Sequence, residues 1–250
     1  MRKGRTAGIP AWKRGLLVGL VGLAAVGAAA GIRDRQEERD RAMVMGDASG
    51  EETVSSSPDS QEESRETKKI ALTFDDGPHP RYTEELLDGL AERKVKATFF
   101  LLGQNIEGRE DIIRRIAEEG HLIGNHTYYH VDITRLTQRE ACQEILETSK
   151  KITAITGQPV EYIRPPFGNW DKELECEVMM LPIFWSVDTL DWTTRNADQI
   201  VQKVVTDIEE NDIILMHDSY DSTVKAALRI IDLLQAEGYE FVTADELILE

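Results

Sequence analysis

Five polar clusters punctuate residues 68–250, each directly after a short apolar run: Asp75-Asp76, His126 with His130, Arg164, Asp188 with Asp191, and His217. One acid at a strand end means little. Five such clusters in succession point to side chains gathered at one end of a set of strands. In His126-Thr-Tyr-Tyr-His130 the histidines stand at i and i+4. On a helix that spacing puts both on one face, about 6 Å apart at Cβ, which suits joint ligation of one metal ion. The chain has only five histidines, and two of them are here.

Thr127 stands where the zinc-protease pattern H-E-x-x-H carries its Glu, so a base must come from elsewhere. Thr73-Phe-Asp-Asp-Gly-Pro78 offers one. Adjacent side chains leaving a strand end point differently, so one aspartate can complete a two-His, one-carboxylate metal set while the other faces an activated water as a base. Without the histidines, an Asp-Gly turn would be the simpler reading of this stretch.

Seven short runs read as the strands that position these groups: Ile70–Phe74, Ala97–Leu102, His121–Gly124, Tyr162–Ile163, Ile183–Val187, Ile213–Met216 and Glu240–Val242. Between them lie helical faces such as Leu86, Leu87 and Leu90, or Ile112, Ile113, Ile116 and Ala117. Thr137-Gln-Arg-Glu140 and Thr243-Ala-Asp-Glu246 fit the capping box. Gly120, Gly157 and Gly238 follow helical runs, where a residue without Cβ can terminate the helix. About seven β–α units imply an α/β fold with parallel strands, and the polar residues at the C-terminal ends of many strands favour closure into a (β/α) barrel, irregular with fewer than eight strands, over an open sheet. No glycine-rich phosphate fingerprint follows the first strand, which disfavours a dinucleotide fold.

The chain has 250 residues, 46 acidic against 29 basic, for a net charge of −17. Residues 1–35 hold seven Lys/Arg and one acid, leaving 22 basic against 45 acidic residues for the rest. Such a chain repels phosphate and is a poor nucleic-acid binder. Residues 1–14 read as a basic cytoplasmic segment. The uncharged run 15–32, about 27 Å long as a helix, reads as a single-pass membrane anchor or a signal-peptide core, with cleavage after Ala30 the alternative. Residues 33–67, rich in Glu, Asp and Ser, read as a flexible acidic linker to a catalytic domain over 68–250 on the extracellular side. Two cysteines exclude a disulfide-built scaffold. Cys142 and Cys176 lie outside every cluster; small buried thiols are the expectation, a disulfide the alternative. His79 and His121 are expected to be structural and Trp185 to be core, while Trp170 fits either a sugar-stacking platform or packing.

The succession TFDDGP (73–78), HTYYH (126–130), RPPFG (164–168), DTLDW (188–192) and ILMH (214–217) resembles, in order and spacing, the five motifs of the polysaccharide deacetylase family, the NodB-homology enzymes of carbohydrate esterase family 4. The resemblance covers essentially all of residues 68–250 and implies a distorted (β/α) barrel. It implies Asp76, His126 and His130 as metal ligands, Asp75 as catalytic base and Arg164 as the partner that orients it. It also implies an oxyanion donor in the Phe167 backbone amide, at a position where many relatives carry Tyr. His217 would be the general acid and Asp191 the partner keeping it protonated; Trp192 and Leu215 would line the acetyl pocket, with Asp188 beside them. One divalent ion is implied, zinc first and cobalt, nickel or iron as alternatives.

The implied activity is that of a hydrolase of linear amides. A metal-activated water would remove N-acetyl groups from N-acetylglucosamine residues of an extracellular polysaccharide, with the enzyme acting as a monomer. Peptidoglycan is the nearest such polymer for an anchored enzyme, ahead of chitooligosaccharide and acetylated xylan. A silent glycan-binding wall protein is the rival of another class, but Asp75 and His217, the groups such a protein would be expected to lose first, are both present. A non-haem iron oxygenase on the same ligand set would leave the acid–base pair unexplained.

Overall fold

The computed structural model describes residues 67–176 and 179–249. The basic segment 1–14, the apolar run 15–32 and, apart from Thr67, the acidic stretch 33–67 lie outside the described residues. Eight strands form one sheet in which every pair is parallel: β1 (Lys68–Gly77), β2 (Thr98–Leu101), β3 (Leu122–Asn125), β4 (Tyr162–Ile163), β5 (Leu181–Pro182), β6 (Val187–Asp188), β7 (Ile213–His217) and β8 (Tyr239–Val242). Their order is β5-β4-β3-β2-β1-β7-β6, with β8 also paired to β1. Ala71 pairs with both Ile213 and Val242, so β8 lies along the edge of β1 that β2 occupies further up. Helices α1 (Tyr82–Arg93), α2 (Glu110–Glu118), α3 (Gln138–Thr156), α4 (Asp191–Thr194), α5 (Ala197–Asp207), α6 (Asp221–Ala236) and α7 (Ala244–Leu249) make the crossovers and the chain end. Among the described residues no helix is long and apolar enough to cross a membrane.

Strand alternation sorts the side chains into two layers. Ile70, Leu72 and Phe74 of β1, Phe99 and Leu101 of β2, and Ile214 and Met216 of β7 belong to the large core under the helices. Their neighbours Ala71, Phe100 and Ile213, with Tyr162 of β4, belong to a smaller inner cluster on the concave side. Two and four residues further along the same inward parity stand Thr73 and Asp75 on β1 and Leu215 and His217 on β7, with Arg164 two beyond Tyr162. The polar clusters are thus the continuation of each strand's inner face beyond its apolar part. Gly124 permits this packing on β3, because a Cβ there would stand 2.4 Å from Phe100 Cδ1.

The expected sheet of about seven parallel strands is present, with one run divided: residues 183–186 link two short strands, and Val187 opens β6. The Ile183 amide donates to Ile163 O at 2.8 Å on the β4 side, and the Ser186 amide donates to Ile213 O at 3.0 Å on the β7 side. Four residues therefore cross from one edge of the curled sheet to the other. The barrel is spanned by chain rather than closed by a strand ladder, since β5 and β6 do not pair.

The Thr137 capping box is present in both directions, and Gly157 terminates α3 at φ 74°. At the second expected box the Thr243 hydroxyl donates to Glu246 Oε1 at 3.1 Å, and it is the Thr243 carbonyl that accepts from the Glu246 amide. Cys142 and Cys176, expected as separate thiols, form a disulfide with Cα atoms 5.4 Å apart. The Gln138 side chain donating to Glu175 O at 2.7 Å brings the segment after the Phe167 loop onto α3, a proximity that no spacing of 34 residues reveals.

Candidate functional site

A cavity of about 370 Å³ opens where the inner faces end. Asp75, Asp76, His126, His130 and His217 line it, together with Phe167, Asp188, Trp192 and Leu215. A larger depression of about 610 Å³ lies over the disulfide, but no histidine or aspartate lines it. The chemistry therefore belongs to the smaller cavity.

The two aspartates reach one cavity because β1 is irregular there. Asp75 pairs with Phe100 and Gly77 with Leu101, so Asp76 is an extra residue, with φ 69°. A bulge of this kind re-aims a side chain that plain alternation would send to the opposite face. Asp75 is buried and Asp76 is partly open.

His126 and His130 do not share a helix, which corrects the spacing argument. Residues 126–130 form a loop with Thr127 at φ 65° and His130 at φ 56°, and the imidazoles meet there with centroids 5.0 Å apart. Helix α3 and the end of β3 hold this loop. Glu144 Oε2 accepts from the amides of Tyr128 at 3.0 Å and Tyr129 at 2.8 Å. Asn125 Oδ1 accepts from the Thr127 amide at 2.7 Å, while its Nδ2 donates to Ile145 O and Ser149 Oγ at 2.8 Å each.

His126 Nδ1 donates to Arg164 O at 2.6 Å, which leaves the Nε2 lone pair free. That Nε2 stands 3.5 Å from Asp76 Oδ1, and His130 Nε2 stands 3.6 Å from the same oxygen. Asp76 Oδ1 is buried without a hydrogen-bond partner. Three ligand atoms within 4.8 Å of one another, one of them an orphaned carboxylate oxygen, fit a divalent cation. Burial, with His126 beside it, holds the His130 imidazole below its ordinary pKa, the neutral form a ligand needs.

Arg164 lies behind the cavity, fully buried. Its guanidinium donates to Asp75 Oδ1 at 2.9 Å, Thr73 Oγ1 at 2.5 Å, Ile183 O at 3.1 Å and Phe184 O at 3.0 Å. One side chain thus orients Asp75 and satisfies two carbonyls of the chain that spans the open side of the sheet.

Asp191, also fully buried, sits behind His217. Its Oδ1 lies 2.8 Å from His217 Nδ1 and accepts from the Trp192 amide at 2.9 Å, while its Oδ2 accepts from the His217 amide at 2.8 Å and from Thr223 Oγ1 at 2.7 Å. Burial opposes charge on both partners. The hydrogen bond and opposite charge outweigh it, pushing His217 up to about 9 and holding the Asp191 carboxyl below its usual range. Asp188 is not in this pair; its side chain accepts from the Leu190 amide at 2.9 Å.

Phe167 is exposed at φ 61° and stacks edge-on against His130 with centroids 4.8 Å apart. Five of the eight non-glycine residues with positive φ among the described residues fall in these motifs: Asp76, Thr127, His130, Phe167 and Leu190. Strain of this kind concentrates where a site over-determines its backbone.

Trp185 and Tyr220, not singled out for the site from sequence, also line the cavity. Trp185, expected in the core of a strand, belongs to the crossing link. Trp170 packs against the large core rather than standing in the cavity wall. His79 Nδ1 accepts from the amides of Arg81 and Tyr82, and His121 Nδ1 from that of Ala97, so both are structural. Burial holds His121 down to about 4.

Asp218 is a further group that sequence reasoning missed. Its carboxyl is fully buried with Oδ1 unpartnered, and Thr83 donates to Oδ2. A Cβ on Gly77 would stand 2.9 Å from that Oδ2, so only glycine lets β1 pass this close. Burial pushes Asp218 up to about 7, against the Thr83 hydrogen bond. The folded state thus holds this proton more tightly than the unfolded chain, whose value is near 3.8. The stabilising contribution is full below about pH 4 and is lost as pH rises through about 7. Asp218→Asn should therefore raise the melting temperature relative to the wild type more at pH 8 than at pH 5. A difference independent of pH would contradict this.

Comparison with known proteins follows this geometry. Residues 62–181 match the family model described as polysaccharide deacetylase. The peptidoglycan-N-acetylglucosamine deacetylase PgdA of Listeria monocytogenes is 41% identical over 180 residues; the match covers 72% of this chain, which spans only 39% of that longer protein. A chitooligosaccharide deacetylase of Bradyrhizobium sp. is 34% identical over 192 residues, 70% of this chain and 88% of that protein. The solved structure of the peptidoglycan deacetylase PdaC from Bacillus subtilis superposes with a TM-score of 0.70 at 39% identity, covering 73% of this chain and 90% of that one. With a relative matched over most of its length and a site assembled on the same curled sheet, the chain belongs to the polysaccharide deacetylase family.

Proposed function

We propose that this protein hydrolyses N-acetyl groups from N-acetylglucosamine residues of an extracellular polysaccharide, peptidoglycan first. The observation that carries the reading is the meeting of Asp76, His126 and His130 in one cavity that Asp75 and His217 also line. A divalent cation on those three ligands, zinc by the N/O character of the set, would polarise the acetamide carbonyl and acidify a water.

Asp75, aimed by Arg164, takes the proton of the attacking water. The Phe167 amide donates to the oxyanion that develops on the carbonyl, an interaction worth about 3–4 kcal/mol in comparable sites. His217, kept cationic by Asp191, hands a proton to the departing amine. Leu215, on the inward parity of β7 just below His217, and Trp192 form an apolar seat for the acetyl methyl.

The expected location is the outer side of the membrane, on the anchor and linker read from residues 1–67. The Cys142–Cys176 disulfide supports it, because such bonds persist in oxidising compartments. Purified protein should release acetate from N-acetylglucosamine oligomers, lose this activity in chelator and recover it on adding back zinc. Undiminished release in chelator would end the metal-dependent reading.

A further inference from the structure

We propose that Arg195 is a carboxylate-binding residue at the rim of the cavity, and that it selects glycans whose sugars beside the reacting N-acetylglucosamine bear carboxylates over neutral chitin-like oligomers. The inference rests on the deacetylase reading and specifies its substrate class.

Arg195 caps the single turn of α4, three residues after Trp192. Its guanidinium lies 4.4 Å above the ring centroid of Tyr220, and both Tyr220 and Trp192 line the cavity. The residue is exposed and adopts φ 45°, a conformation in which glycine or asparagine is the unstrained choice. Among the described residues it makes no ion pair. Seven other described arginines each hold a carboxylate of this acid-rich chain. Stacking on Tyr220 presents the planar fork without using its donors, and that fork matches a carboxylate.

Charge gives the cation its purpose. The carboxylates of Asp75, Asp76 and Asp188 face the cavity, and histidines are its only basic lining groups. Arg164, His217 and the divalent cation that Asp76, His126 and His130 would hold balance those carboxylates, which leaves the unpaired Arg195 as the cation at the rim for an anionic glycan to meet. Peptidoglycan alternates N-acetylglucosamine with N-acetylmuramic acid, which carries a free lactyl carboxylate when unsubstituted and, once that group is an amide to the stem peptide, the peptide's own carboxylates instead; chitin oligomers carry neither.

The test compares wild type, Arg195→Gln and Arg195→Lys on three substrates: a neutral N-acetylglucosamine tetramer, a muramic-acid-containing tetrasaccharide without peptide, and the same with its peptide. Arg195→Gln should raise KM about tenfold on carboxylated substrates with kcat little changed, the scale of one charge-assisted hydrogen bond. The neutral tetramer should change less than twofold. Arg195→Lys should recover part of the loss, because charge is kept and the fork is not. A loss only on the peptide-free muramic-acid substrate assigns the lactyl carboxylate, a loss only on the peptide-bearing one assigns the peptide carboxylates, and a loss on both shows that the fork takes either. Equal losses on neutral and carboxylated substrates, or no loss on either, would overturn the proposal. Wild-type activity on the neutral tetramer alone would sink it and leave the deacetylase standing, whereas inactivity on all three would remove the deacetylase reading itself.

Discussion

Asp75→Asn is expected to lower turnover by about 10²–10⁴-fold, the range for loss of a positioned general base, while the protein still binds its metal. Asn keeps the size of the side chain and an oxygen that can accept from Arg164, so the 2.9 Å contact has a successor. What it lacks is a lone pair basic enough to take a proton. The buried guanidinium would lose its charge partner, and the melting temperature should fall; activity is therefore compared well below it. Metal content and acetate release are measured on the same sample. Lost metal with the variant still folded would mean that Asp75 and Asp76 have exchanged roles, because only the ligand should be needed for loading.

The second large effect is expected at Asp191. Asp191→Asn places an amide where two carboxylate oxygens now accept four donors, so at least one of the His217 amide, the Thr223 hydroxyl or the imidazole loses its acceptor. It also removes the charge that outweighs burial at His217. With that charge gone, burial acts against the imidazolium and its pKa falls from about 9. The form able to protonate the amine is the cation. The alkaline limb of the kcat profile that His217 gives the wild type should therefore move to lower pH, and kcat at pH 8 should drop by about 10²-fold or more. An unshifted alkaline limb would show that His217 does not act as the acid.

Most of the strands and the positions of the polar clusters are legible because one rule generates both. Inward parity carries Tyr162 to Arg164 and Leu215 to His217, so a short apolar run followed by a charged residue marks the mouth of the sheet. The rule fails where the backbone leaves the strand geometry. Asp76 reaches the cavity through a bulge, and the His126–His130 spacing fits a helix although the segment is a strained loop. Residues 183–187 are apolar enough for a strand, yet they switch partners midway, which turns Trp185 from an expected core residue into part of the cavity wall. Asp218 and Tyr220 were overlooked beside His217, because nothing local separates a buried carboxyl or a rim ring from an ordinary loop. The disulfide depends on a contact between α3 and a distant segment that local pattern cannot register.

A cation held by Asp76 on the β1 bulge and by His126 and His130 on one loop is the centre of the proposed mechanism. The direct measurement is diffraction from crystals of the protein grown with zinc, recorded on both sides of the zinc absorption edge. The expected result is a single anomalous peak within bonding distance of Asp76 Oδ1, His126 Nε2 and His130 Nε2. No peak there, with the three side chains turned apart, would contradict the account.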